Sequence, residues 1–340
     1  MPQPERRFDA DLAALSTFRL PARAAEVIFL DNLDQLAGLS YGHPLLVLGG
    51  GSNTIFLANW TGTVLVNRLR GISVERASQR DSRVRVAAGE NWHRLVRWCL
   101  DHGLHGLENL ALIPGSVGAA PIQNIGAYGV EIADVLESVT AWDWRQNRLR
   151  QLPAEACGFG YRASRFRDAD RGRFLITSIT LRLRHEFRPQ IGYQSLAAEL
   201  KRRHGDRIPG PRALTAAVMR LRRHRLPDPA RLANAGSFFK NPVVSGDFAS
   251  SLLSDHPHLP HWTMADGQVK LAAGWMIEQR GWKGKSVGAA AVYPNHALVL
   301  INRGGASAQQ LGALVDAIRA DIQRSFGVRL EPEPILIGRA

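Results

Sequence analysis

The sequence predicts a chain of mixed helix and strand in two or three domains, sheet-rich at first and more helical later. Three observations carry that expectation. At 340 residues the chain is longer than one hydrophobic core ordinarily organises. Its first part alternates short apolar runs with turns rich in glycine and asparagine, the pattern of strands in a sheet. A basic, proline-containing stretch at 202–212, RRHGDRIPGPR, then precedes a region where helical periodicity returns.

Taken in order, strands are expected at 25–30 (AEVIFL), 44–53 (PLLVLGGGSN) and 62–69 (GTVLVNRL). The segment 82–89 (SRVRVAAG) alternates with period two, after which Trp92, Leu95, Val96, Cys99 and Leu100 recur at helical spacing, with Gly103 as a stop. Further strands are read at 138–144 and 174–184. Helices follow at 213–225 and at 269–281, the second closed by Gly281. After a strand at 296–302, a long helix begins at Ser307. Ser307 and Gln310 form a possible capping box, and Leu311, Leu314, Val315, Ile318 and Ile322 line one face. The closing segment 328–338 reads as an extended strand. No internal repeat or low-complexity tract appears.

A hydrophobic fraction of 45% fits a globular protein, and no stretch approaches the length of apolar chain that spans a bilayer. Cytoplasmic residence is the default expectation. Cys99 and Cys157 are too few for a disulfide scaffold and lack CxxC spacing, so buried thiols are expected. The net charge of +13 would suit a nucleic-acid binder. No recognition-helix, zinc-finger or RNA-binding aromatic signature accompanies it, and small anionic ligands use positive charge equally well.

Several segments could carry chemistry. VLGGGSN follows a strand, so its amides could cradle a phosphate, although it fits neither GxGxxG nor GxxxxGK[ST]. The segment 113–129, IPGSVGAAPIQNIGAYG, has little side-chain bulk over a long run and lets another body approach the backbone. Two such loops in one sheet-rich region suggest an extended dinucleotide. In NAGSFFKNP (234–242), Ser237, Lys240 and Asn241 flank two phenylalanines in a stretch suited to neither helix nor strand, with Gly236-Ser237 favouring a turn. Ser237 lacks the GxSxG elbow of hydrolases and is open as a proton or hydrogen-bond donor. Glu331 and Glu333 of LEPEP share one face of an extended strand, a pairing that could make one a proton donor or leave both solvated. Arg162, in GFGYRASRF, could stabilise developing negative charge or serve as an ion-pair partner. The histidines of DHPHLPHW (255–262) lack metal-site spacing and read as a solvated loop; no metal is expected.

Together, VLGGGSN, ENWHRLV, GLENLALIPGSVGAAPIQNIGAYGVE, FGYRASRF, NAGSFFKNP, VKLAAGWMI and LEPEPILIG resemble, in this order, the flavin-dependent UDP-N-acetylenolpyruvoylglucosamine reductase family of peptidoglycan precursor synthesis. The resemblance runs from about Thr17 to the C-terminus, and Tyr193 in IGYQSL is similar to the tyrosine loop of the longer, type I members. It implies an α+β architecture: a two-subdomain FAD-binding fold of the vanillyl-alcohol-oxidase (PCMH) type plus a C-terminal α/β substrate domain. The implied segments are 1–69, 70–209 and 210–327, with the strand at 328–340 free to return to the first.

By that resemblance FAD, held non-covalently, lies on Gly49, Gly50, Gly51, Ser52 and Asn53 and on Pro114, Gly115, Ser116, Gly118, Gln123, Asn124, Gly126, Ala127 and Tyr128. Arg162, Ser237 and Glu333 match the catalytic positions. Tyr193, Arg225, Asn241 and His296 are implied to contact the UDP-sugar or NADPH, with Arg225 standing where the family often has lysine and His296 where an amide is expected. The implied reaction passes hydride from NADPH through FAD to C3 of the enolpyruvyl ether, with a proton from Ser237 to C2, in a cytoplasmic monomer that binds neither nucleic acid nor membrane. The alternatives are another flavin oxidoreductase or oxidase of the superfamily and, from a different class, a basic nucleic-acid-binding protein.

Overall fold

A computed structural model of the protein describes residues 3–39 and 44–338. The chain divides into two compact units. The first takes in the chain through Ala10, Ala24–Gly50 and Thr61–His224; the second takes in Asp11–Arg23, Gly51–Trp60 and the chain from Arg225 on.

The first unit is built on two sheets. One has the strand order Glu5–Asp11, Arg23–Leu30, Trp60–Asn67, Leu45–Leu48, the last two parallel. The other is antiparallel throughout, in the order Arg148–Pro153, Leu136–Asp143, Phe174–Arg184, Asp81–Ala87, Ile72–Arg76. Its alternating residues Val84, Val86, Ile179, Leu181 and Leu183 turn inward. They pack with Leu95, Val96 and Cys99 of helix α1 (Trp92–Asp101), Leu196 and Leu200 of α2 (Gln194–His204) and Leu214, Ala217 and Val218 of α3 (Pro211–Arg225). The expected strand at 174–184 matches its observed bounds. The one expected over 44–53 stops at Leu48, because Gly49–Asn53 leave the sheet as a loop. Both cysteines are buried thiols, and burial pushes Cys99 up to about 12.

In the second unit an antiparallel sheet runs Ala233–Ser237, Val299–Asn302, Ala290–Val292, Ser286–Val287. A smaller sheet holds Val243–Val244, Val269–Leu271 and His261–Thr263. With them pack α4 (Gly246–Asp255), α5 (Ala273–Gln279) and α6 (Ala308–Phe326), whose Leu311, Leu314, Val315, Ile318 and Ile322 are buried with Phe238, Met276 and Ile277. The capping box expected at the start of α6 is present: Ser307 accepts from the Gln310 N–H, and the Gln310 side chain accepts from the Ser307 N–H.

Three further expectations change. The helix placed over 269–281 starts at Ala273, because Val269–Leu271 is taken up as the central strand of the smaller sheet. NAGSFF is not irregular, since its first part completes the strand ending at Ser237. Within 328–338 only Ile335–Ile337 forms a strand, parallel to Thr54–Phe56. Among the described residues no helix is long and apolar enough to cross a membrane.

Candidate active site

In the second unit, local geometry places Ser237 beside the Glu333 segment. The pairing of Ala233–Ser237 with Val299–Asn302 slips between Asn234 and Ser237, where Gly236 has φ +72°. This is a bulge, and a bulge re-aims the side chain that follows it. The Asn234 side chain accepts the Gly236 N–H at 2.9 Å and donates to the carbonyls of Leu232 and Pro227, so the kink is held from both sides. Beyond it, Phe238 and Phe239 are fully buried with their rings 5.1 Å apart, which anchors the chain just after the turn.

The residues after Ser237 pair with the C-terminal segment. Glu333 N–H donates to the Phe238 carbonyl at 2.7 Å and Lys240 N–H to the Glu331 carbonyl at 2.9 Å. Ser237 and Glu333 are therefore neighbours through backbone pairing, while exposed Glu331 lies against Lys240 Nζ at 3.7 Å. Asn53 joins the same place: its carbonyl accepts the Ile335 N–H at 2.9 Å, and its amide donates to the Glu333 carbonyl at 3.4 Å. Asn241 accepts the Ala273 N–H at 3.1 Å at the start of α5. His296 Nδ1 accepts the Leu298 N–H at 3.2 Å, which leaves the ring proton on Nε2; burial, then Arg225, lower its pKa. Arg225 is exposed.

In the first unit the two glycine segments press together. A Cβ on Gly49 would run into Ser116 Oγ, and one on Gly50 would stand 2.9 Å from Gly115 Cα, so only glycine permits the contact. Gly118 lies as tightly on Ala88, at 2.5 Å from its Cβ. Tyr128 and Gly129, at φ +51° and +82°, make the two-residue turn between Gly126–Ala127 and Val130–Glu131, the combination a tight hairpin requires. The Tyr128 ring meets the Tyr193 ring edge to face at 5.4 Å, Tyr193 standing at the N-cap of α2.

The segment is braced from 160–167. Arg162 sits at φ +53° in a tight turn closed by reciprocal hydrogen bonds between Gly160 and Ala163, a conformation that costs an arginine about 1–3 kcal/mol. Its guanidinium donates to the Gly126 carbonyl at 3.1 Å. Asn124 donates to the Gly160 carbonyl and to Glu131, and accepts the Ala133 N–H; Ser164 donates to the Ile122 carbonyl; Arg167 donates to Gln123 Oε1. The amide side chains of Gln123 and Asn124 are thus engaged within the protein.

Sequence reasoning missed two residues. Arg222 on α3 has a buried Nε with no hydrogen-bond partner, and burial lowers its pKa, with Tyr128 opposing and Arg162 adding to the effect. The available signal was spacing: Leu214, Val218 and Arg222 recur every four residues, which puts a charge on the apolar face of the helix. His93, at the start of α1, accepts the Leu112 N–H on Nδ1 at 3.1 Å.

These residues fit a flavin dinucleotide. A buried cation with an orphaned Nε, beside Arg162 and Tyr128, asks for negative charge. The amides of Gly50, Gly51 and Ser52 donate to no acceptor among the described residues, as a phosphate-binding loop requires. Among the described residues no group of three or more His, Cys, Asp or Glu could hold a metal ion.

The family model described as an FAD binding domain matches residues 37–150, so the fold and site define an FAD-containing oxidoreductase with an FAD-binding domain of the PCMH type. The model described as the C-terminal domain of UDP-N-acetylenolpyruvoylglucosamine reductase matches residues 228–337. The chain is 47% identical over 339 residues to the UDP-N-acetylenolpyruvoylglucosamine reductase of Azoarcus sp. (strain BH72), covering 97% of each, and 47% identical over 332 residues to that of Paraburkholderia phytofirmans, covering 96% of each. The crystal structure of the Thermus caldophilus reductase superposes with TM-score 0.67 at 26% identity, covering 98% of this chain and 99% of that one. The chain belongs to the UDP-N-acetylenolpyruvoylglucosamine reductase family.

Proposed function

We propose that this protein reduces UDP-N-acetylglucosamine enolpyruvate to UDP-N-acetylmuramate with NADPH, as a cytoplasmic monomer in peptidoglycan precursor synthesis. When bound, FAD supplies a hydride acceptor for NADPH and a hydride donor for C3 of the enolpyruvyl group. The chain's own residues handle the charge and the proton. Hydride at C3 leaves enolate character on the carboxylate-bearing C2 unit. Arg162, held in its left-handed turn, stabilises that charge, assisted by Glu333. Ser237 delivers the proton to C2 and re-protonates from solvent. Tyr193, Arg225, Asn241 and His296 contact the UDP-sugar or the nicotinamide dinucleotide. The two polyanionic ligands give the +13 chain a use for its charge. We assign 1–69 and 70–209 as the flavin-binding subdomains and 210–327 as the substrate-binding domain.

The observation that carries the reading is the bulged strand end at Ser237, whose following residue, Phe238, accepts the Glu333 N–H. The test is anaerobic absorption spectroscopy. Flavin bands should bleach with NADPH and return on adding the enolpyruvyl substrate. Bands that stay bleached with that substrate, yet return at once with oxygen, would instead make the protein an oxidase of the same superfamily.

A further inference from the structure

We propose that His93 is a positioning residue for the flavin-binding loop, its Nδ1 holding the Leu112 N–H so that the chain enters the glycine-rich segment 113–129 in one backbone conformation. This rests on the reading of that segment as a cofactor loop. The role comes from where the ring lies. The start of α1 and the residue before its N-cap grip the approach to the segment at several points: Trp92 Nε1–H donates to the Leu110 carbonyl at 3.0 Å, Trp92 N–H to the Gly115 carbonyl at 3.1 Å, and Val117 N–H to the Glu90 carbonyl at 2.8 Å. Between these grips the backbone turns out of regular geometry, with Leu112 at φ +58°.

A leucine does not adopt the left-handed region without support from its surroundings. Turned this way, Leu112 presents its N–H to a side chain, and the acceptor is His93 Nδ1 at 3.1 Å. An acceptor ring nitrogen must be unprotonated, so the ring has to be neutral with its proton on Nε2. Its surroundings favour that form. Burial lowers the His93 pKa, and Arg97 from α1 with Arg223 and Arg222 from α3 lower it further. Arg222, which suits an anionic ligand, thus also helps keep the ring able to accept.

Acceptor and packing roles separate by substitution. The Oδ1 of asparagine overlies the Nδ1 of histidine and accepts, whereas phenylalanine fills the space and cannot. The holoenzymes of wild type, His93→Asn and His93→Phe are diluted, FAD release is read by flavin fluorescence, and melting is followed on the same samples, with His93→Met replacing the phenylalanine variant if that does not fold. The expected result is FAD affinity within about threefold of wild type for His93→Asn and a loss of about tenfold or more for His93→Phe, since that variant leaves the part-buried Leu112 N–H without its acceptor. Equal retention in both variants overturns the inference. So does retention in His93→Phe with loss in His93→Asn, which would make the ring a packing element. A wild-type protein that holds no FAD would show instead that the cofactor reading itself had failed.

Discussion

Ser237 shows how much a single side chain owes to what lies on either side of it. Its direction is set by the bulge at Gly236 and by two buried phenylalanines, neither of which touches chemistry. Ser237→Ala should therefore fold, hold FAD and accept hydride from NADPH at the wild-type rate, while reoxidation by the enolpyruvyl substrate slows by about 10²- to 10⁴-fold. Stopped-flow absorbance of the separate half-reactions reads this directly, and wild-type reoxidation would remove the proton-donor role. Arg222 makes the opposite case, since its charge is buried without a hydrogen-bond partner at Nε. Arg222→Met should raise the melting temperature of the cofactor-free chain and weaken FAD by about tenfold, because an uncompensated cation costs stability until an anion arrives. A variant less stable without cofactor would show that the guanidinium is satisfied in the free protein. At this scale the sequence was partly legible. Residue chemistry alone left Arg162, Ser237 and Glu333 each with a bland alternative. Motif order singled them out, and the pairing of Glu333 with Phe238 depends on partners far apart in the chain. For Gln123 and Asn124 the internal partners Arg167, Gly160 and Ala133 were likewise invisible in a one-dimensional reading.

Elements were legible where their signals are local. The box at Ser307 and Gln310 and the apolar stripe through Ile322 both appear as read, because caps and helical faces depend on residues within a turn or two. Ser307→Ala should lower stability by about 1 kcal/mol in denaturant unfolding without altering bound flavin, since it removes the acceptor for the Gln310 N–H. An unchanged midpoint would mean that solvent replaces the cap at no cost. The segment at 269–271 failed as a helix for the complementary reason. VKL continues a helical pattern into Ala273, yet two strands, Val243–Val244 and His261–Thr263, flank it in space, and strand preference follows such neighbours more than intrinsic tendency. The proline-flanked histidines of 255–262 end in one of those strands at His261.

Across the whole molecule, charge decides how the protein meets acid. The excess of basic residues lets buried and half-buried carboxylates find arginine partners in both units: Asp143 with Arg173, Asp170 with Arg165 and Arg173, and Glu199 with Arg202, Arg203 and Arg220 in the first, and Asp321 with Arg280 in the second. Each of these carboxyls has its pKa held below the ordinary carboxylate value, Glu199 at about 2 through hydrogen bonds from Arg202 and Arg203. A depressed folded pKa contributes stability that is fully present above the unfolded value and is lost as pH falls through the folded one. Protonation also leaves 43 Lys and Arg and 11 His without counter-charge, so self-repulsion grows in the same direction. The melting temperature should fall steeply between about pH 4.5 and about pH 2, the interval between the ordinary and the folded pKa of Glu199. Glu199→Gln isolates one contribution. At neutral pH the variant should melt below wild type, having lost the ionic tie from α2 to Arg220 of α3, and the difference should shrink as wild-type Glu199 itself takes up a proton. A difference that persists undiminished at about pH 2 would assign the loss to packing of the side chain instead of to its charge.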